Sequence, residues 1–173
     1  MRLRLLPPLL AFAMLGAACT GTSDGLGLVA VDRPLPALTG PTVQGGHVTA
    51  ADYAGHVLVV NFWATWCGPC REEQPALQQV WGDYQSKGVR FVGVNYRDDS
   101  AAAGAWIDEF GVTYPSIEDP SGAWADDFGF LGLPDTYVSD AGGTIRYVVT
   151  GATTAEQLSG VLDELLAAQT PSS

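Results

Sequence analysis

The run Val57-Leu58-Val59-Val60-Asn61-Phe62 leads directly into Trp63-Ala64-Thr65-Trp66-Cys67-Gly68-Pro69-Cys70. A run this short and this apolar predicts a parallel strand covered on both faces. Helical spacing follows from Pro69 to Ser86, with Leu77, Val80, Trp81 and Tyr84 on one side and Pro75 placed to kink the helix. Two of the chain's three cysteines therefore sit where a buried strand gives way to a helix. Such a pair can be a metal clip, a structural disulfide or a reactive dithiol. Structural zinc needs four ligands, and neither His47 nor His56 has helpful spacing; both read as surface or satisfied loop residues. A disulfide closing so short a loop contributes little entropic stabilisation. The position favours the dithiol, because Cys67 falls at a helix N-terminus, where unpaired N–H groups and the macrodipole favour a thiolate. Cys70 lies one turn deeper on the same face, within disulfide reach. Cys67 would then attack a partner's disulfide, and Cys70 would resolve the mixed disulfide. Pro69 suits a first helical turn, where its missing N–H costs nothing.

Arg90-Phe91-Val92-Gly93-Val94-Asn95 predicts a second buried strand. Helices are expected over 101–110, 123–128 and 154–168, the last with Leu158, Val161, Leu162, Leu165 and Leu166 on its apolar face. Strands over 136–138 and 144–149 flank a turn at Asp140-Ala141-Gly142-Gly143. The stretch from Leu35 to Ala51, with Gly45-Gly46, suggests a small hairpin. Strands alternating with helices and ending in a hairpin indicate an α/β sandwich with a mixed central sheet flanked by helices, in one domain over 34–170.

The chain begins MRLRLLPPLLAFAMLGAACT. Two arginines precede 14 apolar residues, Leu5 to Ala18, interrupted by Pro7-Pro8. That is short of the roughly 20 residues a membrane-spanning helix needs and fits a secretory signal over residues 1–18. Leu15-Gly16-Ala17-Ala18-Cys19 resembles the lipobox of bacterial lipoproteins, which implies a lipid anchor on Cys19. An ordinary signal peptidase site, leaving a secreted soluble protein, is the alternative. From residue 19 to about Arg33 the Gly, Ser and Thr content reads as a flexible tether. The chain has 8 Lys+Arg against 19 Asp+Glu; without Arg2 and Arg4 this is 6 against 19, a net −13. A surface this acidic repels phosphate backbones, which argues against nucleic-acid binding.

NFWATWCGPCREEQP closely resembles the active-site segment of the thioredoxin superfamily, with Pro75 eight residues beyond Cys67. Gly132-Leu133-Pro134-Asp135-Thr136-Tyr137 is similar to that family's cis-proline loop. The resemblance implies a cis Pro134 and a Leu133 backbone that pairs with an incoming peptide, beside Trp66, Gly68 and Pro69. Asp135 stands where Thr or Glu is usual and adds negative charge there. Over roughly 34–168 the chain resembles exported thioredoxins of the TlpA/ResA/DsbE (CcmG) type. Arg71, Glu73 and Pro75 match their C-R-x-E-x-P continuation, and Gly93 to Asp99 is very like their G-x-N-Y-K-D-D stretch. The segment from Asp98 to Asp119 is similar to their central helix–strand insertion.

Asn61 stands where cytosolic thioredoxin has a buried Asp. By the resemblance, proton handling would pass to Asp98, for which a solvated helix cap is the plain alternative. Trp66 would line the docking groove, whereas Trp63, Trp81, Trp106 and Trp124 would be core. The implied activity is thiol–disulfide exchange outside the cytoplasm by the dithiol alone, without metal or cofactor. A monomeric reductase is expected, with clients such as the C-x-x-C-H haem site of apocytochrome c and a membrane thiol donor of the CcdA/DsbD kind. The main alternative is an oxidase of exported proteins. A peroxiredoxin-like peroxidase lacks its Pro-x-x-x-Thr-x-x-Cys loop here, and non-catalytic thioredoxin-fold modules usually lose one cysteine.

Overall fold

The computed structural model describes residues 27–169. The signal segment, Cys19 and the tether up to residue 26 lie outside the described residues. Eight strands and four helices follow in the order β1 Gly27–Pro34, β2 Gly40–Pro41, β3 His47–Val48, β4 Leu58–Trp63, α1 Gly68–Tyr84, β5 Arg90–Tyr96, α2 Ser100–Phe110, β6 Ser116–Asp119, α3 Ala123–Phe128, β7 Asp135–Ser139, β8 Thr144–Thr150 and α4 Ala155–Gln169. Six strands form one sheet in the order β1-β8-β7-β4-β5-β6, while β2 and β3 make the small hairpin. Strands β4, β5 and β6 are parallel; β7, β8 and β1 are antiparallel to their neighbours.

Period-2 alternation sends β4 to two cores. Val59 and Trp63 pack with Leu77, Trp106, Leu158 and Leu162, which places α1, α2 and α4 on one face. Leu58, Val60 and Phe62 pack with Leu38, Phe128 and Tyr137, beneath α3 and the N-terminal hairpin. Asn61 lies on the α1 face by the same alternation, directly opposite Thr136 of β7. Gly93 is required where β5 meets its neighbours, since a Cβ there would lie 2.2 Å from Ser116 Oγ and 2.9 Å from Trp63 Nε1.

The tether assignment is corrected over its last part. Gly27 to Arg33 is not a linker but most of edge strand β1, paired antiparallel with β8 from Gly27↔Thr150 to Pro34↔Thr144. Its Leu-Val-Ala-Val core is too short to outweigh the neighbouring Gly and Ser in composition, and only the open edge of β8 makes it a strand. The domain therefore begins no later than Gly27. Among the tryptophans, Trp63 and Trp106 are buried and stacked. Trp81 and Trp124 are half-buried at the margins of the two cores.

Candidate active site

Strand β4 is buried throughout and delivers the chain to a turn in which Cys67 N–H donates to Ala64 O at 3.1 Å. Cys67 is the N-cap of α1: its backbone is extended, and its Sγ accepts from Cys70 N–H at 3.2 Å. That contact answers one of the unpaired donors of the first turn with sulfur, the atom on which negative charge develops during exchange. The two cysteines are joined in a disulfide with Cα atoms 5.3 Å apart. Both sulfurs are sheltered, Cys67 at 5% exposure and Cys70 at 1%, while Trp66, Gly68 and Pro69 stand at the surface around them.

The loop before β7 closes the other side. The Leu133–Pro134 peptide is cis, and Leu133 packs against the cluster that contains both cysteines. Pro134 O accepts from Gly151 N–H at 2.9 Å, which ties this loop to the end of β8. Asp135 turns to the opposite face, where it accepts from Leu131 N–H at 3.1 Å and Tyr137 O–H at 3.0 Å. Burial pushes its pKa up against these hydrogen bonds.

Asp98 sits beside the turn that precedes Cys67. Its carboxylate accepts from Thr65 N–H (2.6 Å), Thr65 O–H (2.7 Å), Asn95 Nδ2 (2.9 Å) and Asp99 N–H (3.0 Å). Burial raises its pKa, but the donors of Thr65, Asn95 and Asp99 outweigh burial and hold the carboxyl below its ordinary range. The helix cap itself is the next residue, since Asp99 accepts from Ala102 N–H. Trp66 is fixed from the same side, its indole donating to Arg97 O at 3.3 Å, and Arg97 holds a left-handed backbone at φ 45°.

A third acidic residue is the one that residue-level reasoning left without a role. Glu73 is one turn beyond Cys70 on the same face of α1 and is 2% exposed. It accepts from Asn61 Nδ2 at 2.8 Å and from Thr153 N–H at 2.8 Å, and Asn61 also donates to Thr136 Oγ1 at 3.0 Å. Burial, partly offset by Thr153 and Asn61, pushes its pKa up to about 7. Glu73 therefore exchanges a proton near neutral pH, whereas Asp98 remains a carboxylate. The signal was present in the spacing Cys67, Cys70, Glu73, Leu77, which runs along the buried stripe of α1.

Among the described residues no cluster of three or more His, Cys, Asp and Glu could hold a metal ion. A cavity of about 460 Å³ lined by His47, Tyr53, Trp81 and Arg90 includes none of the dithiol residues.

The AhpC/TSA family model matches residues 31–148. The thiol:disulfide interchange protein DsbE of Pseudomonas fluorescens is 39% identical over 138 residues, covering 79% of this chain and 70% of that protein. The thiol-disulfide oxidoreductase ResA of Oceanobacillus iheyensis is 34% identical over 123 residues, covering 71% of this chain and 64% of its relative. The crystal structure of a DsbF homologue from Corynebacterium diphtheriae superposes with a TM-score of 0.75 at 31% identity, covering 83% of this chain and 96% of the other. Fold and sequence similarity agree: the chain belongs to the AhpC/TSA family of thioredoxin-fold proteins and is a thiol–disulfide oxidoreductase of the DsbE and ResA type.

Proposed function

We propose that this protein works outside the cytoplasm as a reductase, anchored through a lipid on Cys19, and that it opens disulfides in exported clients. The C-x-x-C-H haem site of apocytochrome c is the client class that best fits, because haem attachment needs free thiols in a compartment that oxidises them. A membrane thiol protein would return Cys67 and Cys70 to the dithiol state. In the exchange, Cys67 thiolate attacks the client disulfide and Cys70 then displaces the client sulfur. Asp98 acts as a positioning residue for the Thr65–Trp66 turn, and Glu73 holds or releases a proton beneath the dithiol.

The observation that carries the direction is the acidic surround. Glu73 lies one turn from Cys70, and Asp98 braces the turn before Cys67. Negative charge here opposes a second negative charge on sulfur, which disfavours the reduced, thiolate-bearing form. Strong oxidants of this fold class have the opposite bias, a stabilised reduced form. Equilibration of Cys67/Cys70 with a glutathione buffer tests the reading. A potential near ~−270 mV supports the reductase, and one near ~−120 mV reverses the direction to oxidase. A peroxidase is not favoured, since Val60 and Ala64 occupy the Pro and Thr positions of the peroxidatic loop and both are buried.

A further inference from the structure

We propose that the cleft between the N-terminal hairpin and the start of β5 is a second binding site, and that it takes a small aromatic monocarboxylate. The cleft arises from unequal strand lengths. Strand β5 starts at Arg90, but β6 pairs with it only from Gly93↔Ser116 onward. Arg90 N–H donates to Val57 O on the β4 side, and Gly93 N–H to Pro115 O on the β6 side. By alternation Phe91 turns its N–H and C=O to the β6 side, where none of the described strands meets it. Pro115 has no N–H to offer the Phe91 carbonyl. Just before it the chain bends at Tyr114, whose buried hydroxyl pairs with Gln74 of α1. Thr113 is carried off the sheet to Gln78 and Trp81. The hairpin covers the gap without filling it. Val43 N–H donates to Ser116 O, while Gln44 donates to Tyr114 O and accepts from Ser116 N–H, which ties the hairpin to β6. What remains is the cavity of about 460 Å³, a size within the roughly 300–1,000 Å³ of small-molecule sites.

The lining selects the ligand. Trp81, Phe91, Tyr53 and Val48 form apolar walls, with the Trp81 and Phe91 rings 5.6 Å apart. The Tyr53 hydroxyl is engaged by Leu38 O and the Trp81 indole N–H by Thr113 Oγ1, so these walls offer faces and not polar groups. Arg90 supplies the charge. Among the described residues Arg71 pairs with Glu109, and Arg146 with Asp32 and Asp140, whereas Arg90 donates only to Val89 O. A guanidinium left without a carboxylate, in a chain of 19 acidic and 8 basic residues, suits an incoming one. His47 stands on the hairpin side of the same cleft, and so does Asp52. Asp52 accepts from Thr49 N–H and O–H, which hold its carboxyl below the ordinary range. That fixed negative charge disfavours ligands with a second negative charge, such as phosphates and dicarboxylates. An open edge of one residue is too short for strand addition by a peptide, so the occupant is compact. The site is separate from the exchange chemistry and independent of its direction. Phe91 lies four residues, about 13 Å, along β5 from Asn95, which pairs with Trp63 at the dithiol end.

Phenylacetate, indoleacetate and naphthoate, titrated into the purified protein, test the site by calorimetry and amide NMR. At least one should bind saturably with a millimolar or lower Kd. Shifts should centre on Val48, Phe91 and the Trp81 indole N–H. The matching neutral amide should bind about tenfold or more weakly, because it lacks the charge that Arg90 recognises. Isophthalate, with two carboxylates, should also bind more weakly. Arg90→Gln should weaken the same monocarboxylate by about tenfold, with amide shifts outside the cleft unchanged as the check on its fold. If that variant does not fold, the comparison of acid with amide on the unaltered protein decides. Failure of all three probes to saturate, shifts centred on Trp66 and Leu133, or equal affinity for acid and amide would overturn the proposal.

Discussion

Replacing Glu73 by Gln isolates what burial does to the carboxyl group beneath the dithiol. Burial raises its pKa from 4.5 to about 7, against the hydrogen bonds from Thr153 and Asn61. Between those two values the folded chain keeps a proton that the unfolded chain has released. Stability is therefore fully present below pH 4.5 and falls as pH rises toward 7. Over about 2.5 pH units, at ~1.36 kcal/mol each, the loss is about 3 kcal/mol. Gln cannot ionise, so Glu73→Gln should remove this slope. Its NH₂ must also face one of two donors, Asn61 Nδ2 or Thr153 N–H, which costs about 1–3 kcal/mol at every pH. Urea unfolding of both oxidised proteins at half-unit pH steps measures the difference. The stability of wild type minus that of the variant should fall by about 3 kcal/mol between pH 4.5 and 7.5. Parallel curves would refute the buried-acid account and mean that Glu73 is ionised throughout, held by its two donors.

Cys70→Ser should trap a mixed disulfide with a client on non-reducing gels, and Cys67→Ser should trap none; the reverse result would exchange their roles. Cys19→Ala should release the protein from the membrane fraction or block its processing, whereas a wild-type protein with an unmodified Cys19 would rule out the lipid. Asp98→Asn exchanges an oxygen that accepts from Thr65 and neighbouring donors for an N–H group, and should destabilise by about 1–3 kcal/mol. If Asp98 positions the turn, kcat/KM for a client falls while the pH profile of Cys67 alkylation stays put; a shifted profile would return proton handling to Asp98. Leu77→Ala, emptying a fully buried site between α1 and the sheet, should cost about 2–5 kcal/mol in the same denaturation assay.

The sequence alone determined the strand–helix junction and the chemistry of the pair it carries. Both depend on local facts: an apolar run that can only be a covered strand, a Cys-x-x-Cys on the first helical turn, and Pro69 where a donor is not needed. Helix α3 occupies the residues its pattern indicates, and α1, α2 and α4 differ only by a residue or two at their ends. Tertiary structure decided everything that joins distant segments. Edge strand β1 exists because β8 offers unpaired N–H and C=O groups, which no reading of Gly27–Pro34 by itself reveals. Asp98 is a cap-like residue in sequence, yet the β4–β5 pairing of Trp63 with Asn95 carries it to Thr65. Glu73 reads as one more acidic residue on an acidic helix. Only the register that sets Asn61 against Thr136, with Thr153 returning after β8, buries it between two donors. A carboxyl group takes its proton affinity from its surroundings, and for Glu73 those surroundings come from β4, β7 and the loop before α4, none of them adjacent to it in the chain.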